Sequence, residues 1–509
     1  MVTEPRTREA AGAAAASRRV VPDVGAVAPD IWLISAATLV AAVLRFATIT
    51  SQSFWIDEAS TVHEVGLSLG SMLHAVRLNE TTPQLYFVIA WVWTRIFGGG
   101  ELGIRSLSAV AGVALVPVLY LCGRELVSRR AGVAAAALAA FNPFLIWYSQ
   151  EARSYMLLGL LSGLSLLFCA RAIRTRARRD VVAWGACSAL AILTHFFAAF
   201  LIVPEALWIL WQLRSREAVL VAGAVAAIQL AILPLAIADT VRPFPSILAA
   251  PLSVRLEQVP VTFAASQLYE SSVTWGAPGA AILLAIVGAL LWLGADPAER
   301  RGARRAAAIA AVTLLMPVAF AAVGHDYVFA RNLLPAWIPL AVLLGAACAA
   351  SRARTAGMAF GVALIALFLW AGAKIDSSPA YQRPDWRGAA VALGSSSRPR
   401  AILAYDGNAA EQPLAIYLRH TRFSYSGMPR SNAAVPVSEV DVIGNTAQSI
   451  ATRLPAGVRV ISSSAVNDIL VVRFALRSSW RLAPSALAAA APSLVGPAPA
   501  GHTAVIIQR

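Results

Sequence analysis

Two adjacent carboxylates, Asp57 and Glu58, stand in the run Ser53-Phe54-Trp55-Ile56-Asp57-Glu58-Ala59, directly after an apolar stretch at 31–50. Ionisable groups at such a boundary are costly to keep beside hydrocarbon and are commonly retained for chemistry. A carboxylate there can take a proton from a hydroxyl or hold a cation. The same pair also suits a helix start, with Asp57 as cap and Glu58 favouring the dipole. A third carboxylate, Glu80, lies in Asn79-Glu80-Thr81-Thr82-Pro83-Gln84-Leu85-Tyr86, where Pro83 suits a first helical turn. If the loop folds back on itself, Glu80 approaches Asp57, and the carboxylates can share a proton or bind a divalent cation. By spacing alone, capping accounts for this turn as well.

A second turn carries Trp147-Tyr148-Ser149-Gln150-Glu151-Ala152-Arg153-Ser154-Tyr155, and His195 (LTHFF) and Arg331 (DYVFARNLLP) recur at the same depth along the apolar segments. Glu151 with Arg153 could be a local pair, and His195 alone a structural residue; their common level is what suggests a site. Arg45, Arg105, Arg153, Arg242 and Arg331 fall at matching ends of apolar segments, where guanidinium groups can hold a phosphate bidentately or simply anchor a helix. Glu205 sits inside an apolar segment and needs a partner or a cavity.

The elements that must position these residues are membrane helices. Of 509 residues, 58% are hydrophobic and 14% charged, with a mean hydropathy of +0.66, against about 25% charged in soluble domains. This excludes a soluble enzyme, a disordered chain and a disulfide scaffold. The four cysteines lie in apolar segments as packing residues. Apolar runs at 31–50, 105–123, 131–148, 155–170, 181–194, 196–212, 218–238, 279–294, 306–323, 332–350 and 356–373 predict about eleven transmembrane helices, and no cleaved signal precedes them. Charge parity settles the twelfth apolar run, Leu85–Phe97. With that run lying along the surface, the loops on one side hold 16 Arg against five acids and those opposite hold seven Arg against ten acids, the bias of the positive-inside rule. The net charge of +15 thus reflects topology rather than nucleic-acid binding.

An odd number of crossings divides the chain into a cytoplasmic tail (1–30), a membrane module (31–373) with an outer loop at 51–104, and an extracytoplasmic domain (374–509). The last reads as a small α/β domain, with strands near 401–405, 440–444, 458–462, 468–477 and 502–508, and helices near 385–394, 408–419 and 484–495. Ser424–Val437 reads as a loop.

The ordered runs WIDEA, ETTPQLYF, ELGIRSLSAVAGVALVPVLYLCGRELVSRRAG, NPFLIWYSQEARSYMLL and LTHFF, with YVFARNLLPAWIP and PDWRGAAVAL later, resemble the polyprenyl-phosphate-sugar-dependent glycosyltransferases of the GT-C superfamily. The nearest branches are protein O-mannosyltransferases and aminoarabinose transferases. The resemblance covers 31–210 well and 325–340 moderately. It implies a GT-C fold and transfer of a mannose-like hexose, or a pentose, from a polyprenyl-phosphate donor, with inversion, to a protein, glycolipid or glycan acceptor on the outer face of a bacterial plasma membrane. It implies Asp57 as catalytic base with Glu58 assisting, Arg105, Arg153 and Arg331 at the donor phosphate, and Glu151, Tyr155 and His195 at the substrate. It also implies a divalent cation held by Asp57 and Glu80, although the turn here reads Thr-Thr-Pro-Gln-Leu-Tyr where relatives have His-Pro-Pro-Leu-Tyr. Two other classes compete: a lipid or glycan flippase, which would place charges near the bilayer midplane, and a non-catalytic glycan-binding scaffold.

Overall fold

The structure is a computed structural model that describes residues 28–240, 250–268, 275–396, 398–404, 408–418, 421–424, 433–445, 450–490, 492–495 and 503–508. The N-terminal tail up to residue 27, Arg242 and residues 425–432 of the expected loop lie outside the described residues. In chain order the helices are α1 (Ala28–Phe46), α2 (Ile56–Gly66), α3 (Leu69–Asn79), α4 (Leu85–Phe97), α5 (Glu101–Leu126), α6 (Arg129–Phe141), α7 (Pro143–Ser149), α8 (Tyr155–Thr175), α9 (Arg178–Thr194), α10 (Ala199–Leu213), α11 (Arg216–Thr240), α12 (Leu252–Ala265), α13 (Gly276–Gly294), α14 (Pro297–Ala322), α15 (Leu334–Cys348) and α16 (Arg354–Ser377).

Every run expected to cross is helical. Among the described residues eight helices are long and apolar enough to span a membrane, or nine if α6 and α7 form one bent span. Of the other two, α9 has only 17 residues and α1 begins at the edge of the described residues. At 13 residues, α4 extends only about 20 Å, short of the roughly 30 Å hydrocarbon core. It packs beside the loop helices and the start of α5, with Trp91 Nε1 donating to Leu67 O at 3.0 Å and Trp93 Nε1 to Gly103 O at 3.1 Å and Ser106 Oγ at 2.9 Å.

The break between α6 and α7 has a local cause. Pro143 lacks the N–H that would continue the α6 ladder, and the Asn142 side chain accepts from Leu145 N at 3.0 Å, starting α7 afresh at a 58° bend. Arg45, fully buried, covers the exposed end of α6, donating to Ala139 O at 3.0 Å and Ala140 O at 3.1 Å. Gly112 leaves room for this side chain: a Cβ there would meet Ser149 Oγ at 2.1 Å and Arg45 Nε at 2.9 Å. Of the arginines expected at phosphate level, Arg45 is therefore a helix cap.

The C-terminal part is a six-stranded sheet of β1 (Arg400–Ala404), β2 (Thr421–Ser424), β3 (Val435–Asn445), β4 (Val458–Val466), β5 (Ile469–Leu482) and β6 (Ala504–Gln508), ordered β2-β6-β1-β3-β5-β4. Only β1 and β3 are parallel, with Ile402 opposite Asp441. Alternating residues face two cores. Ile402 and Ala404 pack with Trp386, Leu393 and Leu414 of α17 (Trp386–Leu393) and α18 (Asn408–Tyr417). Ala401 and Leu403 pack with Leu487 and Leu494 of α19 (Pro484–Ala490) and α20 (Pro492–Val495) on the other face. Strand β2 was not expected, and β3 starts five residues before its predicted position, within the expected loop.

Candidate active site

The loop 47–55 and helix α2 bring Asp57 and Glu58 to one end of the helical bundle, where the two carboxylates diverge. Glu58 is fully buried and gripped by Arg105, whose Nε and Nη2 donate to its two oxygens at 2.7 Å each, while Ala152 N donates to Oε1 at 2.9 Å. Burial pushes the Glu58 carboxyl up, but Arg105 and then Arg383 outweigh it and hold the group below its ordinary value. The other N–H groups of Arg105 donate to Ile49 O, Gln52 O and Ser53 O at 2.8, 2.8 and 3.0 Å. All five of its donors are used. Arg105, expected at the phosphate, and Glu58, expected in catalysis, are thus engaged with each other and with the backbone of the loop that carries Asp57.

Arg153 is almost as fully engaged. Its Nη1 and Nη2 donate to the two oxygens of Glu80 at 2.8 and 2.6 Å, and Nη1 also reaches Asp57 O and Thr61 Oγ1. A cation shared by Asp57 and Glu80 would have to displace this guanidinium, so the residues as arranged do not fit the expected metal site, and no group of three metal-ligating side chains occurs among the described residues. Glu64 lies beside them with Oε2 unpaired. Burial and then neighbouring Glu80 push its carboxyl up to about 8, against the pull of Arg153.

Asp57 and Arg331 remain. Arg331 Nη1 stands 3.4 Å from Asp57 Oδ2, with the side chains 22% and 27% exposed, whereas both partners in the Arg105–Glu58 and Arg153–Glu80 pairs are at most 8% exposed. This is the one side-chain contact of Arg331 with an acid among the described residues. Its guanidinium also lies near the rings of Phe329, Tyr155 and Trp55, at 5.1, 5.8 and 6.0 Å. Behind it Tyr148, Tyr155 and His195 form an aromatic row, with centroids 5.0 and 5.8 Å apart. Tyr155 and His195 are both buried, and His195 stands one ring further from Arg331, its Nδ1 accepting from Phe197 N at 3.3 Å.

A cavity of about 250 Å³ opens beside this pair, and its walls include Arg331, Trp55, Glu151, Arg255, Gln258 and Arg383. Arg255 is tied to Asp326 and to Val328 O. Arg383 reaches Glu151 Oε2 at 3.0 Å and stacks on Trp147 with its centre 4.3 Å from the ring, leaving Arg383 Nε and Glu151 Oε1 without partners. Burial, above all, pushes the Glu151 carboxyl up to about 7 despite Arg383. Sequence reading missed Arg255 and Arg383. Arg383 is 232 residues from its partner, and its only local signal is its place one turn before α17.

The C-terminal part closes on the same end. Arg387 donates to Glu101 at 2.7 Å and to Thr50 O and Ser51 O, Tyr417 accepts from Phe54 N at 2.7 Å, and Ser53 Oγ donates to Pro384 O at 2.9 Å.

Residues 81–237 match the family model described as dolichyl-phosphate-mannose-protein mannosyltransferase. No curated protein sequence matches the chain. Among solved structures it is similar to ArnT from Cupriavidus metallidurans in the apo state, at 13% identity and a TM-score of 0.49, over 88% of this chain and 98% of that one. It is similar to the same protein bound to undecaprenyl phosphate at 14% identity and a TM-score of 0.48, over 89% and 98%. The Archaeoglobus fulgidus oligosaccharyltransferase in complex with zinc and sulfate is similar at 13% identity and a TM-score of 0.42, over 71% of this chain and 55% of that one. The family match takes in about a third of the chain, and over that stretch it bears out the likeness to GT-C glycosyltransferases carried by the motifs.

Proposed function

We propose that this protein is a membrane glycosyltransferase that moves a mannose-like sugar from a polyprenyl-phosphate donor to an acceptor hydroxyl, with inversion, at the end of the bundle where Asp57 and Arg331 meet. The observation that carries this reading is selective availability: the Arg105–Glu58 and Arg153–Glu80 pairs are buried and held by two short contacts each, while Asp57 and Arg331 share one long contact beside a cavity. The description of the matching family, which names dolichyl-phosphate mannose, supports the lipid-phosphate donor and the sugar.

The chemistry follows from the leaving group. A sugar phosphate needs its charge held as the bond to the sugar breaks, and the acceptor oxygen must lose its proton. Arg331 offers the phosphate a guanidinium, and Asp57 takes the acceptor proton. In a single displacement the base and the leaving oxygen lie on opposite faces of the sugar, which requires roughly 6–9 Å between them by analogy with inverting hydrolases. The donor phosphate therefore competes Arg331 away from Asp57, freeing the base as the donor docks. Tyr155 and Glu151 border the sugar, and Arg153 keeps Glu80 and the backbone of Asp57 in place. On this reading the positive-inside bias puts the site outside the membrane, residues 31–373 are the catalytic module, and 374–509 form an outer domain that faces a protein, glycolipid or glycan acceptor.

The test is transfer by purified protein, with a panel of labelled polyprenyl-phosphate sugars and membrane extract as acceptor. Asp57→Asn lowers turnover by about 10³-fold, and Arg331→Met weakens donor binding with folding retained. A correctly folded Asp57→Asn protein that transfers sugar at the wild-type rate would sink the assignment.

A further inference from the structure

At the opposite end of the helical bundle, α1, α6 and α16 flank a groove of about 770 Å³. Its walls are apolar, built from Leu33, Val133, Ala137, Leu138, Val362 and Ile365. Its floor is low because Gly361 has no side chain there; a Cβ would already touch Cys348 Sγ at 3.3 Å. The outer edge faces away from the protein, with Val362 68% exposed. On a helix read as spanning a membrane, such a surface is filled by hydrocarbon.

The groove is polarised along its length. At one end its lining includes Arg129, Arg130 and Arg354, with Asp30 as the acid among them. Arg129 Nε donates to Asp30 at 2.7 Å, so that pair forms part of the wall. Arg130 and Arg354 are exposed and make no ion pair among the described residues. From this rim the apolar lining runs eight residues along α6, to Leu138, and eleven along α16, to Ile365. That is about 12–16 Å at the helical rise, the depth of one leaflet. Two cations at headgroup level above an apolar trough one leaflet deep match a phosphate carrying an acyl chain.

We propose that this groove is a binding site for one anionic phospholipid, its phosphate between Arg130 and Arg354 and one acyl chain lying over Gly361 and Ala137. The site is separate from the cavity beside Asp57 and does not depend on the transfer reaction or on which leaflet it faces.

Native mass spectrometry of the full-length protein, stripped of lipid in detergent, tests it with dioleoyl phosphatidylglycerol, dioleoyl phosphatidylcholine and undecaprenyl phosphate as probes. The expected result is one phosphatidylglycerol bound about tenfold more tightly than phosphatidylcholine. The preference falls to within about twofold in an Arg130→Ala, Arg354→Ala double variant, because the two arginines attract the net negative charge of phosphatidylglycerol, which the choline cation cancels in phosphatidylcholine. Ala137→Phe, which plugs the trough from its open side, lowers phosphatidylglycerol binding while leaving both arginines. Each variant is checked for a monodisperse elution profile, and if Ala137→Phe does not fold, Val133→Phe serves as the plug. Equal binding of the two phospholipids, a preference that survives the double variant, or undecaprenyl phosphate displacing phosphatidylglycerol in a manner sensitive to the plug would each overturn the proposal.

Discussion

Successive residues of an α-helix point about 100° apart, and at the start of α2 that turn separates two neighbouring carboxylates. Glu58 faces inward to Arg105; Asp57 faces Arg331. Replacing Arg105 with Met leaves Glu58 buried without its charged partner, at a cost of about 3–5 kcal/mol. The expected outcome is a large loss of folded protein, measured by detergent-solubilised yield and thermal shift, before any effect on turnover. An Arg105→Met protein that keeps wild-type stability would mean that the pair does not brace the loop. Glu64 gives a pH prediction. Its pKa is raised from 4.5 to about 8 in the folded protein, so the folded state binds the proton more tightly than the unfolded one. Its contribution to stability is then greatest below about pH 4.5 and is lost as pH rises towards 8. Glu64→Gln removes that loss, and the expected gain in Tm is larger at pH 9 than at pH 6. An equal change at both pH values would contradict the assignment.

At the scale of elements, close helix approach does what side-chain bulk does in soluble cores. A Cβ at Gly123 of α5 would stand 2.6 Å from Gly132 Cα of α6, and one at Gly132 would stand 2.4 Å from Tyr120 O. Gly123→Val is expected to force these helices apart and to lower the apparent Tm by several degrees, whereas the same change at Gly70, where nothing lies within 4 Å, leaves packing intact. Matched thermal-shift curves for the two variants check this, and equal shifts would contradict it. The elements also show which patterns could be read in advance. Apolar runs gave the spans because each is a local average over about 20 residues. The α6–α7 break escaped that average, since it depends on one Asn-Pro step, and β2 escaped because four residues carry too little pattern.

At the scale of the molecule, the C-terminal part is tied to the loop that carries Asp57. Arg387 and Tyr417 bond to Glu101, Thr50, Ser51 and Phe54 across sequence separations of up to 363 residues. Loosening that clamp is expected to disturb the site without touching it. An Arg387→Ala, Tyr417→Phe double variant should raise acceptor KM and lower kcat together by about tenfold, since a shift of about 1 Å in a reacting group can cost 10²-fold. Wild-type kinetics in that variant would show that the loop holds its position unaided.

The sequence by itself determined that this is a polytopic membrane protein with a small α/β part at its C-terminus, because hydropathy and strand alternation are local properties of the chain. It also determined the residues from which a site could be built: Asp57, Glu151, Arg153, Tyr155 and Arg331 all lie at one end of the bundle, as their common depth along the spans requires. Only the tertiary structure decided which of them are spent. Whether an arginine faces a carboxylate, a row of helix carbonyls or a cavity depends on partners tens or hundreds of residues away, as Arg45, Arg105 and Arg383 show. That pairing is fixed by packing, and it leaves Asp57 and Arg331 more exposed and more loosely joined than the Arg105–Glu58 and Arg153–Glu80 pairs.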